Sequence, residues 1–273
     1  MDQREIDYLK GGAQPLATDS SVLVSSSKYL NSAAMRNIVA QEMLRKYGTD
    51  LPPAYFIPEM QAAFGEVTDY PYILRLFAEA RAAKPELDAW FKRGFLSDYK
   101  NEPLADCQPG TLGALVHAFV HESGFDDEFI FKAAPQDDYQ YFLKRFIQSH
   151  DIQHMVTGFD VTPIGEYALS MVSTAAYLDY FSPELAAELT KQTTLQVCCG
   201  MMRANLHYAK TLPLMMAAVS RGLAMGHQLK KPLFFVEWED YWHHTPTQIR
   251  EELNIVGAPA EGEWTWAYEE MKK

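Results

Sequence analysis

Prolines set just behind capping side chains constrain this chain more than any other feature. Thr162-Pro163 and Thr245-Pro246 each pair a hydroxyl N-cap with a proline at the first helical position, and Pro71 and Pro183 open further apolar stripes. A proline is favoured there because its missing N–H would have no partner in the first turn and its φ is already helical. Apolar residues then recur every three or four positions, as in Ile73, Leu74, Phe77 and Ala80 after Pro71, or Tyr139, Phe142, Leu143, Phe146 and Ile147 further on. That period places them on one helical face. The expected helices are 33–47 stopped by Gly48, 71–83, 111–122 stopping near Gly124, 136–155 followed by Gly158, and 163–180. Helices over 183 to about 202, over 206 to about 228 with a kink at Pro213, and over 245–253 complete the array. Residues 232–236 read as a short extended segment and 84–106 as an insertion or loop-rich connection. No set of alternating strands is present. The expected fold is all-α, a single-domain helical array over residues 21–260, with a mobile arm at 1–20 and a C-terminal tail at 261–273.

The residues that carry chemistry sit at one joint of this array. His150 and His154 are four apart on a predicted helix, so both imidazoles lie on one face. Asp151 lies about 100° round from His150 and within reach of an ion at the edge of that face. Glu166 follows twelve residues after His154, across a Gly158 stop and a Pro163 start, so a helical hairpin returns it toward the histidines. If Thr162 is the N-cap, the capping-box position falls on Gly165 and Glu166 is one residue too far for that role. Two solvated histidines on a surface helix would share the His150/His154 spacing; Glu166 at the hairpin return tips the reading to a metal site. Two nitrogens and two carboxylates suit Zn²⁺, and less well Fe²⁺ or Mn²⁺. The arrangement is not the metalloprotease H-E-x-x-H, because the general-base position holds Asp151. An HD-type phosphohydrolase set, drafting His117 or His121 and Asp160 or Asp179, is the rival metal reading.

Charge narrows the partners. Lys and Arg number 24 against 36 Asp and Glu, a net charge of −12. That disfavours nucleic acid, which is bound by cations that release counterions, and docking on anionic lipid through a polybasic patch. Cys107, Cys198 and Cys199 form no disulfide framework and suit a reducing compartment. Residues 1–10 carry Asp2, Glu5 and Asp7 with no apolar core, so neither a signal nor a transit peptide is expected. No run approaches the ~18–20 apolar residues of a membrane span. The expected location is cytoplasmic.

The pattern His150-Asp151-x-x-His154, followed by Glu166, resembles the signature of the coenzyme Q biosynthesis protein 4 family. Pro109-Gly110-Thr111-Leu112-Gly113 resembles that family's turn before an apolar helix. Glu237-Trp238-Glu239, Tyr241, Pro246 and Ile249-Arg250-Glu251-Glu252-Leu253 resemble its C-terminal segment. The likeness runs from about 51 to 259; His243-His244 departs from it. The resemblance implies an all-α zinc protein with ligands His150, Asp151, His154 and Glu166 and a hydrophobic tunnel for an isoprenoid chain. It implies a place in an assembly of quinone-biosynthesis enzymes at the periphery of the inner membrane. A homodimer is a further candidate state of the chain. It also implies oxidative removal of the carboxyl from a prenylated hydroxybenzoate, or, alternatively, a non-enzymatic lipid-binding scaffold.

Within that reading, Leu169, Met171, Val172, Leu214, Met215 and Val219 are the candidate lipid-lining residues, although core packing uses the same composition. Cys198-Cys199 reads as two small apolar residues, and His243-His244 point in different directions along the backbone. Asp126-Asp127-Glu128 reads as a solvated helix start. Lys144 and Arg145 stand where a carboxylate or diphosphate could be held, with surface ion pairs the expected role.

Overall fold

The computed structural model describes residues 26–46, 57–100, 102–122 and 132–273. Residues 1–20, Gly48, Gly124 and Asp126 to Glu128 lie outside the described residues, and so do the expectations that fall on them. Among the described residues there are twelve α-helices and no strand. They are α1 (Lys28–Asn31), α2 (Ala33–Leu44), α3 (Ile57–Val67), α4 (Tyr70–Ala83), α5 (Pro85–Arg93), α6 (Leu112–His117), α7 (Asp138–Thr157), α8 (Pro163–Tyr180), α9 (Pro183–His207), α10 (Leu212–Gly226), α11 (Pro246–Leu253) and α12 (Thr265–Met271). The fold is all-α, as the apolar period requires.

The capped prolines behave as expected. Thr162 accepts a hydrogen bond from the Gly165 amide and α8 begins at Pro163. Thr245 and Gln248 form a reciprocal capping box at the start of α11. Helix α5 has the proline, Pro85, without the cap. In α5, Lys84 makes no side-chain cap, yet Leu87, Trp90 and Phe91 bury one face and Gly94 closes the helix in the left-handed region. The stretch 84–106 is therefore partly helical. It ends in a 3-10 turn at Leu104–Asp106.

Pro213 does not kink a helix. The chain breaks over 208–211 and α10 begins at Leu212, which puts Pro213 in the first turn, where it has no N–H partner to lose. The segment 232–236 is not extended: Leu233–Phe235 forms a 3-10 turn. The stretch 111–122 is helical only to His117, and Ala118–Glu122 continues as a wider π turn.

Helix α8 is the centre of the fold. Ile164, Ala168, Leu169, Val172 and Ala175 are at most 1% exposed. A helix apolar on all sides must be covered on all sides. Helix α10 covers one of them at unusually close range. A Cβ on Gly222 would overlap the Ala168 carbonyl, and one on Gly226 the Val172 carbonyl. Only glycine lets two helix backbones touch in this way.

Two main cores flank this centre. One is mainly aliphatic and includes much of α8, with Ile152, Val156, Met215, Ile249 and Leu253, and it takes in Trp264, Ala267 and Met271 from beyond residue 260. The other is aromatic, with Phe77, Trp90, Phe91, Tyr141, Phe142, Tyr177, Phe181 and Phe234. Helix α7 runs from the second into the first. A smaller cluster joins α2 to α3. No helix among the described residues is long and apolar enough to cross a membrane.

Candidate metal centre

The last turns of α7 and the first turn of α8 form the expected hairpin. Gly158, at φ 81, stops α7. Asp160 Oδ1 accepts from the Thr162 amide at 3.1 Å and from its hydroxyl at 2.5 Å, which tightens the connection. Gly165 then passes so close to the Asp160 carbonyl that any Cβ would overlap it. The return carries Glu166 to the histidines. His150 Nε2 lies 3.2 Å from Glu166 Oε2, His154 Nε2 lies 3.2 Å from Glu166 Oε1, and the two Nε2 atoms are 3.2 Å apart. Among the described residues this is the only group of three or more candidate ligands that converges.

Tautomer chemistry tests whether a cation fits. His154 is buried, with 4% of its side chain exposed, and its Nδ1–H donates to the Phe159 carbonyl at 2.8 Å. A neutral His154 therefore turns an Nε2 lone pair toward His150 and Glu166. Such a carbonyl partner is the usual device that orients a metal-ligating imidazole. Lone pairs and a carboxylate facing one another need a positive charge among them. The protein's own answer is a proton on His150. Burial opposes its charging, but the Glu166 carboxylate and its hydrogen bond outweigh that and push the pKa up to about 9, with a smaller push from Asp151. Burial likewise opposes the Glu166 charge, yet His150 and His154 hold that carboxyl well below the usual range. A divalent cation satisfies the same three atoms. Four ligands about 2.0–2.1 Å from Zn²⁺ stand about 3.3 Å apart in a tetrahedron, close to the spacing seen.

Asp151 occupies the next helical position and stays outside the converging group. Of the rival phosphohydrolase set, none joins the cluster. The His117 and His121 rings pair with each other at 4.7 Å. Asp160 is engaged in its turn, and Asp179 accepts from His227 Nδ1 at 2.7 Å at the far end of α8.

Lys144 and Arg145 are not on the surface. Both are buried, and Arg145 donates to Ser97 Oγ at 2.5 Å and to the Val236 carbonyl at 3.0 Å. The partners of Arg145 come from distant segments that spacing does not reveal. Cys199 is buried, and burial raises its pKa to about 11, as suits a small apolar residue rather than a reactive thiol. Leu169, Met171, Val172 and Met215 are buried in the aliphatic core, while Leu214 and Val219 pack against its edge. The Phe159 carbonyl is a functional group that sequence spacing could not single out, because it belongs to the backbone.

Comparison with known proteins places the chain in a family. The ubiquinone biosynthesis protein COQ4, mitochondrial, of Eremothecium gossypii is 25% identical over 164 residues, covering 59% of this chain and 46% of the relative. Its counterpart in Uncinocarpus reesii is 25% identical over 211 residues, covering 74% of this chain and 69% of the relative. The chain thus spans about half to two thirds of the length of these relatives. A crystal structure from Nostoc punctiforme, described as a candidate ubiquinone biosynthesis protein, superposes with a TM-score of 0.56 at 23% identity, over 73% of this chain and 89% of that one. That likeness speaks for the fold. The family pattern described as coenzyme Q (ubiquinone) biosynthesis protein Coq4 matches residues 58–259, from α3 through α11 and beyond, and the chain belongs to that family.

Proposed function

We propose that this chain is a zinc- and isoprenoid-lipid-binding protein of ubiquinone biosynthesis that oxidatively decarboxylates a prenylated hydroxybenzoate: the ring carboxyl leaves as CO2, a hydroxyl takes its place, and O2 accepts the two electrons. The observation that carries the metal half is the convergence of His150, His154 and Glu166 at 3.2 Å with His154 oriented by a backbone carbonyl. These three residues would hold the ion, with Asp151 beside them to add negative charge. The ion, when bound, supplies Lewis-acid polarisation of an oxygen. Without it, His150 holds a proton against Glu166. The half-exposed Glu166, at 38%, leaves the cluster open to solvent on one side, while His154 is closed off by the core.

The lipid half rests on family membership and on apolar side chains left at the surface of α9 and α10, where Met202, Leu206 and Met216 are exposed. They also suit peripheral contact with a membrane. Such contact would run through apolar surface, because the net charge of −12 repels anionic lipid.

Elemental analysis of the purified chain and of His154→Ala tests the site: an equal metal content in both sinks it. Native mass spectrometry that never finds an isoprenoid on the protein sinks the lipid half. Incubation with a prenylated hydroxybenzoate and oxygen tests the chemistry through loss of the carboxyl; a lipid carrier without activity would bind the compound and leave it intact.

A further inference from the structure

The turn that orients His154 is gripped from the far end of the chain. Val156 sits in the last turn of α7, where its carbonyl has no helical amide to accept from. Arg250, on α11, donates to that carbonyl through Nε at 2.6 Å. A cation at this position also meets the negative end of the helix dipole. The same guanidinium closes over Gly158, where a Cβ would stand 3.0 Å from Nη2. One residue later, the Phe159 ring lies on the Trp264 ring, with centroids 5.4 Å apart and planes 15° from parallel. Phe159 is 0% and Trp264 2% exposed. The carbonyl of this clamped Phe159 is the one that receives the His154 Nδ1–H.

We infer that Arg250 and Trp264 are positioning residues for the metal centre: they fix the turn at 156–159 and, through the Phe159 carbonyl, the direction of His154 Nε2. The inference rests on the metal reading of the His150, His154 and Glu166 cluster. It assigns the 250–264 region a task in ligand geometry as well as in the core.

The test uses Co²⁺, whose visible absorption reports coordination geometry, titrated into the metal-stripped full chain. Arg250→Met keeps the bulk and removes the donors; it is expected to weaken Co²⁺ binding about 10-fold, the low end of the range for lost outer-shell partners because Arg250 acts beyond the Phe159 carbonyl, and to shift the visible bands. Arg250→Lys keeps a cation with different reach and donor geometry, and is expected to lose less affinity with the bands displaced in the same direction. Arg81→Met, which removes the pair between α4 and Asp138 at the opposite end of α7, lowers stability and leaves both readouts at wild-type values.

Wild-type affinity and bands in folded Arg250→Met overturn the inference. If that variant does not fold, Arg250→Lys decides alone, with wild-type behaviour overturning the inference and weakened, shifted binding supporting it. A wild-type chain that gives no Co²⁺ bands, or His154→Ala that binds as well, takes down the metal reading and this inference together. Wild-type behaviour of the Arg250 variants takes down the inference only.

Discussion

The two ends of α7 differ in the balance of forces that hold them. At the N-terminal end, Tyr141 and Phe142 sit in the aromatic core. Trp90 lies 4.7 Å from Tyr141 and 5.4 Å from Phe234, and Phe142 lies 4.9 Å from Phe234. At the C-terminal end the same helix is held by directed bonds: Arg250 to Val156, His154 to Phe159, and the Thr157 hydroxyl to the Gln153 carbonyl at 2.7 Å. Ring packing stabilises through buried area and is tolerant of angle. A ligand cluster needs its atoms in fixed directions, which hydrogen bonds supply. The difference separates stability from site geometry along one helix.

Trp90→Ala should break the first end with the largest effect. The loss of a 2%-exposed ring is expected to cost ~3–5 kcal/mol, read by urea unfolding, while the Zn²⁺ affinity of the folded fraction stays within a few-fold. A comparable loss of affinity would show that the two ends are not separable. Gly165→Ala attacks the other end. Its Cβ has no place beside the Asp160 carbonyl, so an overpacking cost of roughly 1–3 kcal/mol is expected. Zn²⁺ binding should suffer far more than in Trp90→Ala.

The pH response sharpens the contrast because the raised His150 pKa belongs to the site end. Without metal, protonated His150 beside Glu166 stabilises the fold fully below its ordinary value of 6.5, and the contribution is lost as pH rises through about 9. The lowered Glu166 pKa adds stability that is present above its ordinary value of 4.5 and lost only in strong acid. The metal-free Tm should therefore fall between pH 6.5 and 9. Zn²⁺ needs the unprotonated ligands, so the Tm gain on adding Zn²⁺ should grow over that interval. Glu166→Gln should abolish both trends, as seen by calorimetry at several pH values. The smallest effect belongs to Arg81→Met. Its pair with Asp138, at 2.7 Å and with 23% and 29% of the side chains exposed, is expected to contribute about 0.5–1 kcal/mol, with no change in metal binding.

What the sequence disclosed follows the same division between local and distant partners. Helices opened by a cap and a proline, such as α8, could be started to within one residue, because every determinant of the start lies within one turn, whereas α9 runs on past the expected 202 to His207. Helix α5 escaped because Lys84 caps nothing, and α12 because Trp264 makes no side-chain cap. Pro213 misled because the break before it, Tyr208-Ala209-Lys210-Thr211, carries neither glycine nor proline. The His150, His154 and Glu166 group was legible from a four-residue spacing and one hairpin. Arg250 stands 94 positions from Val156, and Arg145 91 from Val236. Both donate to backbone carbonyls, which no spacing rule marks.

The glycine contacts between α10 and α8 carry a consequence for exchange with solvent. With Ala168 and Val172 touching the backbone of α10 and their side chains 0% exposed, the amides of mid-α8 have no local route to water. They should exchange their hydrogens only through global opening, among the slowest in the molecule. Glu166 lies two residues before Ala168. The ligand cluster is thus anchored to the part of the protein that opens last, so its geometry should persist through the smaller fluctuations that open the rest.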